Sequence, residues 1–324
     1  MADSTIGSGL DYATLTLWEA DTDNDLVTAT ESEYAVLNTT DSPYTMGDFD
    51  TIAGATVNAT YHRGIKAASG QATDGTPGSG PIITEATSGF ACLWINEAYF
   101  TVQDVEFDGQ DTAGAIFFYI SNAGQVIERC IGYDLAGTAP VAQNFGGTAV
   151  DSALTLRNCA FWNDGSTAGE RVTGASGNTD AVVIDHCTFV HKESTAAFGG
   201  GAARYCLVYN SYAGNYGGSA GWTCWLDLDA GSEGYAASDT SGETASHDSL
   251  AVADQFVGAT DAGGWDLHLK SGSDLEGLGG TTSGLTTDID GDTRDGTTPD
   301  VGFDEFVAAG GATTGNLLAM MGCG

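Results

Sequence analysis

Basic side chains are scarce in this chain of 324 residues: Lys and Arg together number 9 against 44 Asp and Glu, for a formal charge of −35. Phosphate backbones and anionic lipid heads repel such a polyanion, so neither nucleic acid nor a membrane surface is expected as a partner. Proline is also rare, at 5 residues, and the 47 glycines follow no Gly-X-Y period, which excludes collagen and predicts many tight turns. No window approaches the run of about 18 apolar residues that a membrane-spanning helix needs. The opening Met1–Gly7 lacks the basic and apolar regions of a secretory signal, so we expect a protein that stays where it is made or leaves by another route. Cys-x-x-Cys, Gly-x-x-x-x-Gly-Lys and His-Glu-x-x-His are all missing, which removes the common zinc, phosphate-loop and metalloprotease signatures. The 7 cysteines, an odd number without metal-ligand spacing, read as reduced and mostly buried thiols. What remains is 42% hydrophobic and 10% aromatic, enough apolar surface for a folded core.

That apolar content is organised as a repeat. Five segments align: Val102–Phe107, Ile127–Gly132, Leu156–Phe161, Ile184–Phe189 and Val208–Ala213, and their fourth column reads Val105, Cys130, Cys159, Cys187, Ser211. The steps between them are 25, 29, 28 and 24 residues. Within Ala153–Phe161 apolar and polar residues alternate, a polar residue interrupts, and the alternation restarts, which predicts strand, sharp bend, strand. The i, i+3, i+4, i+7 spacing of a helical solenoid does not occur in these windows. Stacking one such unit per turn yields a right-handed parallel β-helix, an all-β fold in which inward residues form columns. Asp11–Ala20 places Tyr12, Leu15 and Trp18 at helical spacing behind Asp11 as N-cap, which predicts a short amino-terminal helix closing the open end. The predicted organisation is a cap over 1–25, the β-helix over 26–306 with a loop at 70–80 and a loop-rich insertion at 213–250, and a Gly-rich linker with an apolar tip over 307–324.

The segments Leu154-x-Leu-x-Asn-Cys-x-Phe161 and Val182-x-Ile-x-His-Cys-x-Phe189 resemble the pectin-lyase-like parallel β-helix repeat. Further on, Trp265–Ser273, Thr287–Arg294 and Pro299–Glu305 resemble the closing segments of bacterial surface and phage β-helix proteins, with a departure at Asp274-Leu-Glu-Gly277. The opening Thr5–Leu15 with Trp18 and Glu19 resembles the first residues of the same proteins. Lyases of that fold use carboxylates, often with calcium, and an Arg or Lys. Here Lys66, Lys192 and Lys270 are the only lysines, which argues against cleavage of acidic polysaccharides.

Individual motifs carry weaker signals. The Cys column reads as inward packing rather than redox or metal chemistry, because Val105 and Ser211 share it. The adjoining column Asp104, Arg129, Asn158, His186, Asn210 has the composition of an active-site row, yet it sits at the bend, where polar side chains satisfy turn backbone. Asp288, Asp290, Asp292 and Asp295 have calcium-like spacing without matching an EF-hand loop, and a structural calcium ion there is the one cofactor the sequence suggests. Asp21–Asp25 has a similar but lesser pattern. Gly217–Gly221 fits a nucleophile elbow only formally, since no strand precedes it. Leu317, Leu318, Met320 and Met321 form a short apolar tip suited to docking against a partner. Together these features predict a non-enzymatic structural protein of a phage virion, a capsid decoration or fibre-like component. Its expected partners are other virion subunits and copies of itself. The alternative is a glycan-binding or glycan-cleaving hydrolase of the tailspike or adhesin kind, located outside the cell or on its surface, whose groove aromatics would come from Trp162, Tyr209, Tyr212, Tyr216 and Trp222.

Overall fold

The computed structural model describes residues 2–47, 50–85, 91–113, 116–120, 122–136, 142–144, 154–162, 182–190, 202–204, 206–209, 225–227, 252–260, 264–277, 285–300 and 302–307. They form a parallel β-helix built from three stacked sheets. The longest sheet runs through Ala2–Thr5, Glu33–Leu37, Arg63–Ala67, Thr101–Gln103, Gln125–Glu128, Leu154–Arg157, Val182–Asp185 and Ala202–Arg204, all parallel. A second sheet stacks Ile82–Thr84, Glu106–Ala113, Ile131–Ala136, Ala160–Trp162, Thr188–Val190, Cys206–Tyr209 and Trp225–Asp227. The third is shorter, with Ala91–Ile95, Ile116–Ile120 and Ala142–Asn144.

The register explains the repeat. Val102, Ile127, Leu156 and Ile184 are direct cross-strand neighbours on the long sheet, and Phe107, Gly132, Phe161 and Phe189 on the second. The fifth unit departs from the sequence alignment: Ile184 pairs with Ala203, and Phe189 with Val208, so Cys206 rather than Ser211 follows Cys187 in the fourth column. The step there is 19 residues, from position 187 to position 206. Apolar alternation fits either alignment, and hydrogen-bond register selects between them. Val105, Cys130, Cys159 and Cys187 are fully buried, and Cys92, Cys130, Cys159 and Cys187 are free thiols. Each column thiol donates to the carbonyl two residues before it, at 3.3 Å for Cys130, 3.1 Å for Cys159 and 3.3 Å for Cys187. Burial holds the Cys130 thiol protonated, well above its ordinary pKa.

The bend column is confirmed as such by its backbone. Asp104, Arg129, Asn158 and His186 all take left-handed conformations, with φ between 47° and 63°. Four successive turns thus place a polar residue where the chain must turn sharply between two strands.

Inside the solenoid the aromatic rings interlock. Phe107 lies 4.6 Å from Phe118 edge-on, and Phe117 sits 5.8 Å from Phe107 and 5.9 Å from Phe161. Gly132 occupies the column that Phe107 and Phe161 share, and a Cβ there would lie 2.4 Å from the Phe117 ring and 2.7 Å from Phe161. The missing side chain makes room for Phe117. Gly132→Ala should therefore overpack this layer and lower stability by about 1–3 kcal/mol in urea denaturation, whereas a neutral result would show that the rings can step aside.

The amino-terminal end differs in detail from the expectation. Residues 2–5 already form a strand of the long sheet, paired with Glu33–Leu37 over four consecutive positions. The helix spans Leu15–Asp21, and its N-cap is Thr14, whose hydroxyl accepts from Leu17 N. Asp11 instead accepts from the Thr5 backbone and hydroxyl, both at 2.8 Å, which pins the turn onto the first strand. Leu15 and Trp18 reach the main core, as the capping role requires.

Past the solenoid, Phe256–Thr260 and Gly264–Leu269 pair with each other antiparallel, so this segment adds no further parallel coil among the described residues. Its apolar face, Phe256, Leu267, Leu269, Leu275, Ile289 and Phe303, packs on Ile131, Tyr133, Ala160 and Trp162 from the outer side of the second sheet. The loop-rich insertion and the apolar tip lie outside the described residues.

Candidate functional site

Chemically rich side chains gather where the carboxy-terminal segment meets the solenoid. Alternation along Gly264–Leu269 puts Leu267 and Leu269 into the core and leaves Asp266 and His268 on the opposite face. The His268 ring bridges outward from there: Nδ1 is 2.5 Å from Asp266 Oδ1, and Nε2 is 2.6 Å from the Asp74 carbonyl and 3.2 Å from Asp290 Oδ1. Asp74 belongs to the loop at 70–80. That loop is held in turn by the buried Glu106 carboxylate, which accepts from Gly78 N at 2.7 Å, Gly80 N, Ser79 Oγ at 3.2 Å and Tyr133 Oη at 3.1 Å. Gly75, at φ +91°, lets His268 and Phe303 approach closely, since a Cβ there would meet both rings at under 3 Å.

A second attachment runs through the bend column. Asn158 is buried, donates from Nδ2 to the Thr287 carbonyl at 2.5 Å and accepts from Arg294 Nη2 at 2.8 Å. Arg294, also buried, reaches the Gly302 carbonyl at 3.0 Å and Glu305 at 3.4 Å. Asn158 is the turn residue its bend position predicts, with the added task of receiving a segment more than a hundred residues away.

The four aspartates of the predicted calcium pattern have separate tasks. Asp288 is buried, its two oxygens accepting from Asp292 N at 2.8 Å and Glu305 N at 3.0 Å. Asp295 is exposed and accepts from Thr297 N, Thr297 Oγ1 and Thr298 N at 2.6 to 2.8 Å. Asp290 joins His268, and Asp292 is exposed. Among the described residues, the group whose ligand atoms lie within 4.8 Å of one another is His268, Asp290 and Asp304, so only Asp290 of the predicted set belongs to it. The lesser pattern likewise disperses: Asp21 accepts from Tyr12 Oη, Asp23 pairs with Arg63, and Asp25 caps the helix Leu26–Ala29.

Of the aromatics considered for a sugar groove, Trp162 is buried, stacked on Tyr133 at 5.5 Å beneath the carboxy-terminal segment. Tyr212, Tyr216 and Trp222 lie outside the described residues, as do Leu317, Leu318, Met320 and Met321 and the segment Gly217–Gly221. His268 and Asp304 were not singled out from sequence. The one available signal was the Asp266/His268 alternation, and it says nothing about which carboxylates arrive from elsewhere.

Burial alone would lower the His268 pKa, but the hydrogen bond to Asp290, the charge of Asp304 and the bond to Asp266 outweigh it and raise it to about 10. Burial pushes Asp288 up to about 7 and Asp300 up to about 6, against the hydrogen bonds each accepts. A histidine raised in this way contributes stability that is complete below its ordinary value of 6.5 and lost as pH rises through about 10. The two aspartates take up protons on folding, so they oppose docking above about 7 and about 6, and that opposition fades as pH falls toward 3.8. Both effects have one sign between pH 9 and pH 6. Scanning calorimetry in EDTA should give a higher unfolding midpoint at pH 6 than at pH 9, and equal midpoints would remove this cluster as a determinant of stability.

No protein-family model matches the chain, and no curated protein matches it. Among the described residues no helix is long and apolar enough to cross a membrane.

Proposed function

We propose that this protein is a non-enzymatic structural component of a phage virion, a capsid decoration or fibre-like subunit that assembles with copies of itself and with other virion proteins. The observation that carries this reading is the covered outer face of two neighbouring strands of the second sheet, Ile131–Ala136 and Ala160–Trp162. A solenoid offers extended ligands its lateral faces, and here Ile131, Tyr133, Ala160 and Trp162 lie beneath the chain's own carboxy-terminal segment. Three cations along the long sheet and its bend are engaged within the chain. Lys66 pairs with Asp3 at 2.8 Å, Arg129 with Asp104 at 2.6 Å, and Arg157 faces Asp185 at 3.9 Å. The buried carboxylates Glu106 and Asp288 hold backbone N–H groups of the 70–80 loop and of the carboxy-terminal segment. These investments favour rigidity over turnover, which suits a subunit of an assembled particle formed in the host cytoplasm.

Mass spectrometry of intact particles banded on a density gradient tests the reading. Peptides of this chain at a constant ratio to the major shell protein are expected. Recovery of the chain only in the soluble fraction, with saturable glycan binding or release of reducing ends by the recombinant protein, would overturn it in favour of the glycan alternative.

A further inference from the structure

We propose that His268, Asp290 and Asp304 form a binding site for a first-row divalent metal ion, of the zinc or manganese class, at the junction of the carboxy-terminal segment with the loop at 70–80. The three side chains come from three separate stretches of chain, and their ligand atoms already lie within 4.8 Å of one another. An ion about 2.0–2.2 Å from each donor would draw them to roughly 3.4 Å apart, a spacing the Nε2–Asp290 pair at 3.2 Å already has.

The surroundings are those of a ligating histidine. Metal-bound imidazoles commonly donate their other N–H to a carboxylate, which fixes the tautomer and turns the free nitrogen to the ion. Here Nδ1 lies 2.5 Å from Asp266 Oδ1, and Nε2 is the nitrogen that faces Asp290. Asp304 is oriented by the Leu269 N–H, which donates to its Oδ2 at 2.6 Å. The Asp74 carbonyl accepts the Nε2 proton at 2.6 Å, and it has to move outward as the ion replaces that proton. Asp304 and the His268 ring are largely enclosed, while the Asp290 side chain is 34% exposed, so an ion can enter from solvent on that side.

Charge favours occupancy. Asp266, Asp290 and Asp304 bring three negative charges to one imidazole, and a dication offsets most of that excess. The ion takes the place of the Nε2 proton, which is released to solvent as the N–metal bond forms. One imidazole nitrogen among carboxylate oxygens suits zinc or manganese, whereas a calcium site would be built of oxygens alone.

The test uses the full chain stripped with EDTA and titrated with zinc chloride alone, with manganese and calcium chloride in parallel. One zinc ion per chain by calorimetry and elemental analysis is expected, together with a rise in the melting temperature. Asp290→Asn should weaken zinc binding at least tenfold, with each protein's melting shift read against its own metal-free melt. Asp266→Asn should weaken it roughly 10–100-fold through loss of the orienting hydrogen bond. Cobalt should give visible absorption bands that Asp290→Asn abolishes. Absence of saturable zinc uptake, or uptake unchanged by Asp290→Asn and Asp304→Asn, would overturn the proposal. Calcium binding as tight as zinc and unaffected by His268→Gln would also overturn it, and would favour the all-oxygen pattern of Asp288–Asp295.

Discussion

Cys159→Asp should abolish the folded solenoid, leaving a chain with little cooperative unfolding in urea. The Cys159 side chain is fully buried in a column with Cys130 and Cys187 above and below, and its Sγ meets those two thiols, the Arg157 carbonyl at 3.1 Å and the Ile127 carbonyl at 3.5 Å. A carboxylate placed there meets backbone oxygens and no cation. Burying it unpaired, or protonating it so that it can be buried, costs several kcal/mol, against a total stability of about 5–15 kcal/mol for a typical domain. Cys159→Ala removes only one heavy atom and should cost no more than about 1–2 kcal/mol. Circular dichroism and urea titration of the pair separate polarity from volume, and a Cys159→Asp protein that melts like the wild type would show that the column faces solvent. Iodoacetamide labelling gives an independent check, since Cys130, Cys159 and Cys187 should react only after unfolding.

Glu97→Ala should destabilise the amino-terminal end by about 3–5 kcal/mol, the range for a buried ion pair that loses one partner. Arg63 is completely buried, and its guanidinium binds Glu97 at 3.0 Å through Nε, with a second, short contact between Nη2 and Oε2. The same group donates to the Ala53 carbonyl at 2.6 Å, the Glu19 carbonyl at 3.3 Å and Thr22 Oγ1 at 3.2 Å, and lies over the Trp18 ring at 5.7 Å. It thus joins the end of the capping helix to the residues that follow the third sheet's first strand, placing a cation at the carboxy-terminal end of the helix, where its dipole favours positive charge. Without Glu97 the buried charge keeps its neutral acceptors, Asp23 at 3.0 Å, whose side chain is 43% exposed and screened by solvent, and Glu19 at 3.8 Å. The double substitution Arg63→Met, Glu97→Leu should recover most of the loss, because desolvation disappears together with the attraction. Urea midpoints for the single and double variants decide the matter. A change below about 1 kcal/mol for Glu97→Ala would show that the carbonyls, Asp23 and Glu19 satisfy the guanidinium without Glu97.

The sequence alone determined the architecture and the facing of most of its columns. Alternation interrupted by a polar residue, repeated at Val105, Cys130, Cys159 and Cys187, is a local pattern, and local patterns record which face of each strand is buried. The left-handed bend at Asp104, Arg129, Asn158 and His186 was legible for the same reason, since it is a property of one residue and its neighbours. Tertiary structure decided the rest. The fifth turn shifted to Ala203 and Cys206 because backbone register arbitrates where apolar spacing is ambiguous. The helix began at Thr14 because Asp11 had a partner in Thr5, on a strand that the helical spacing does not reveal. The carboxy-terminal segment folded back onto Tyr133 and Trp162, so a stretch that resembles a closing coil became a lateral cover. The junction of His268 with Asp290, Asp304 and the Asp74 carbonyl joins positions more than two hundred residues apart, and among 44 acids no spacing marks which ones meet an imidazole. Strand facing is written residue by residue along the chain, whereas the meeting of distant side chains depends on how whole turns stack and where the last segment docks.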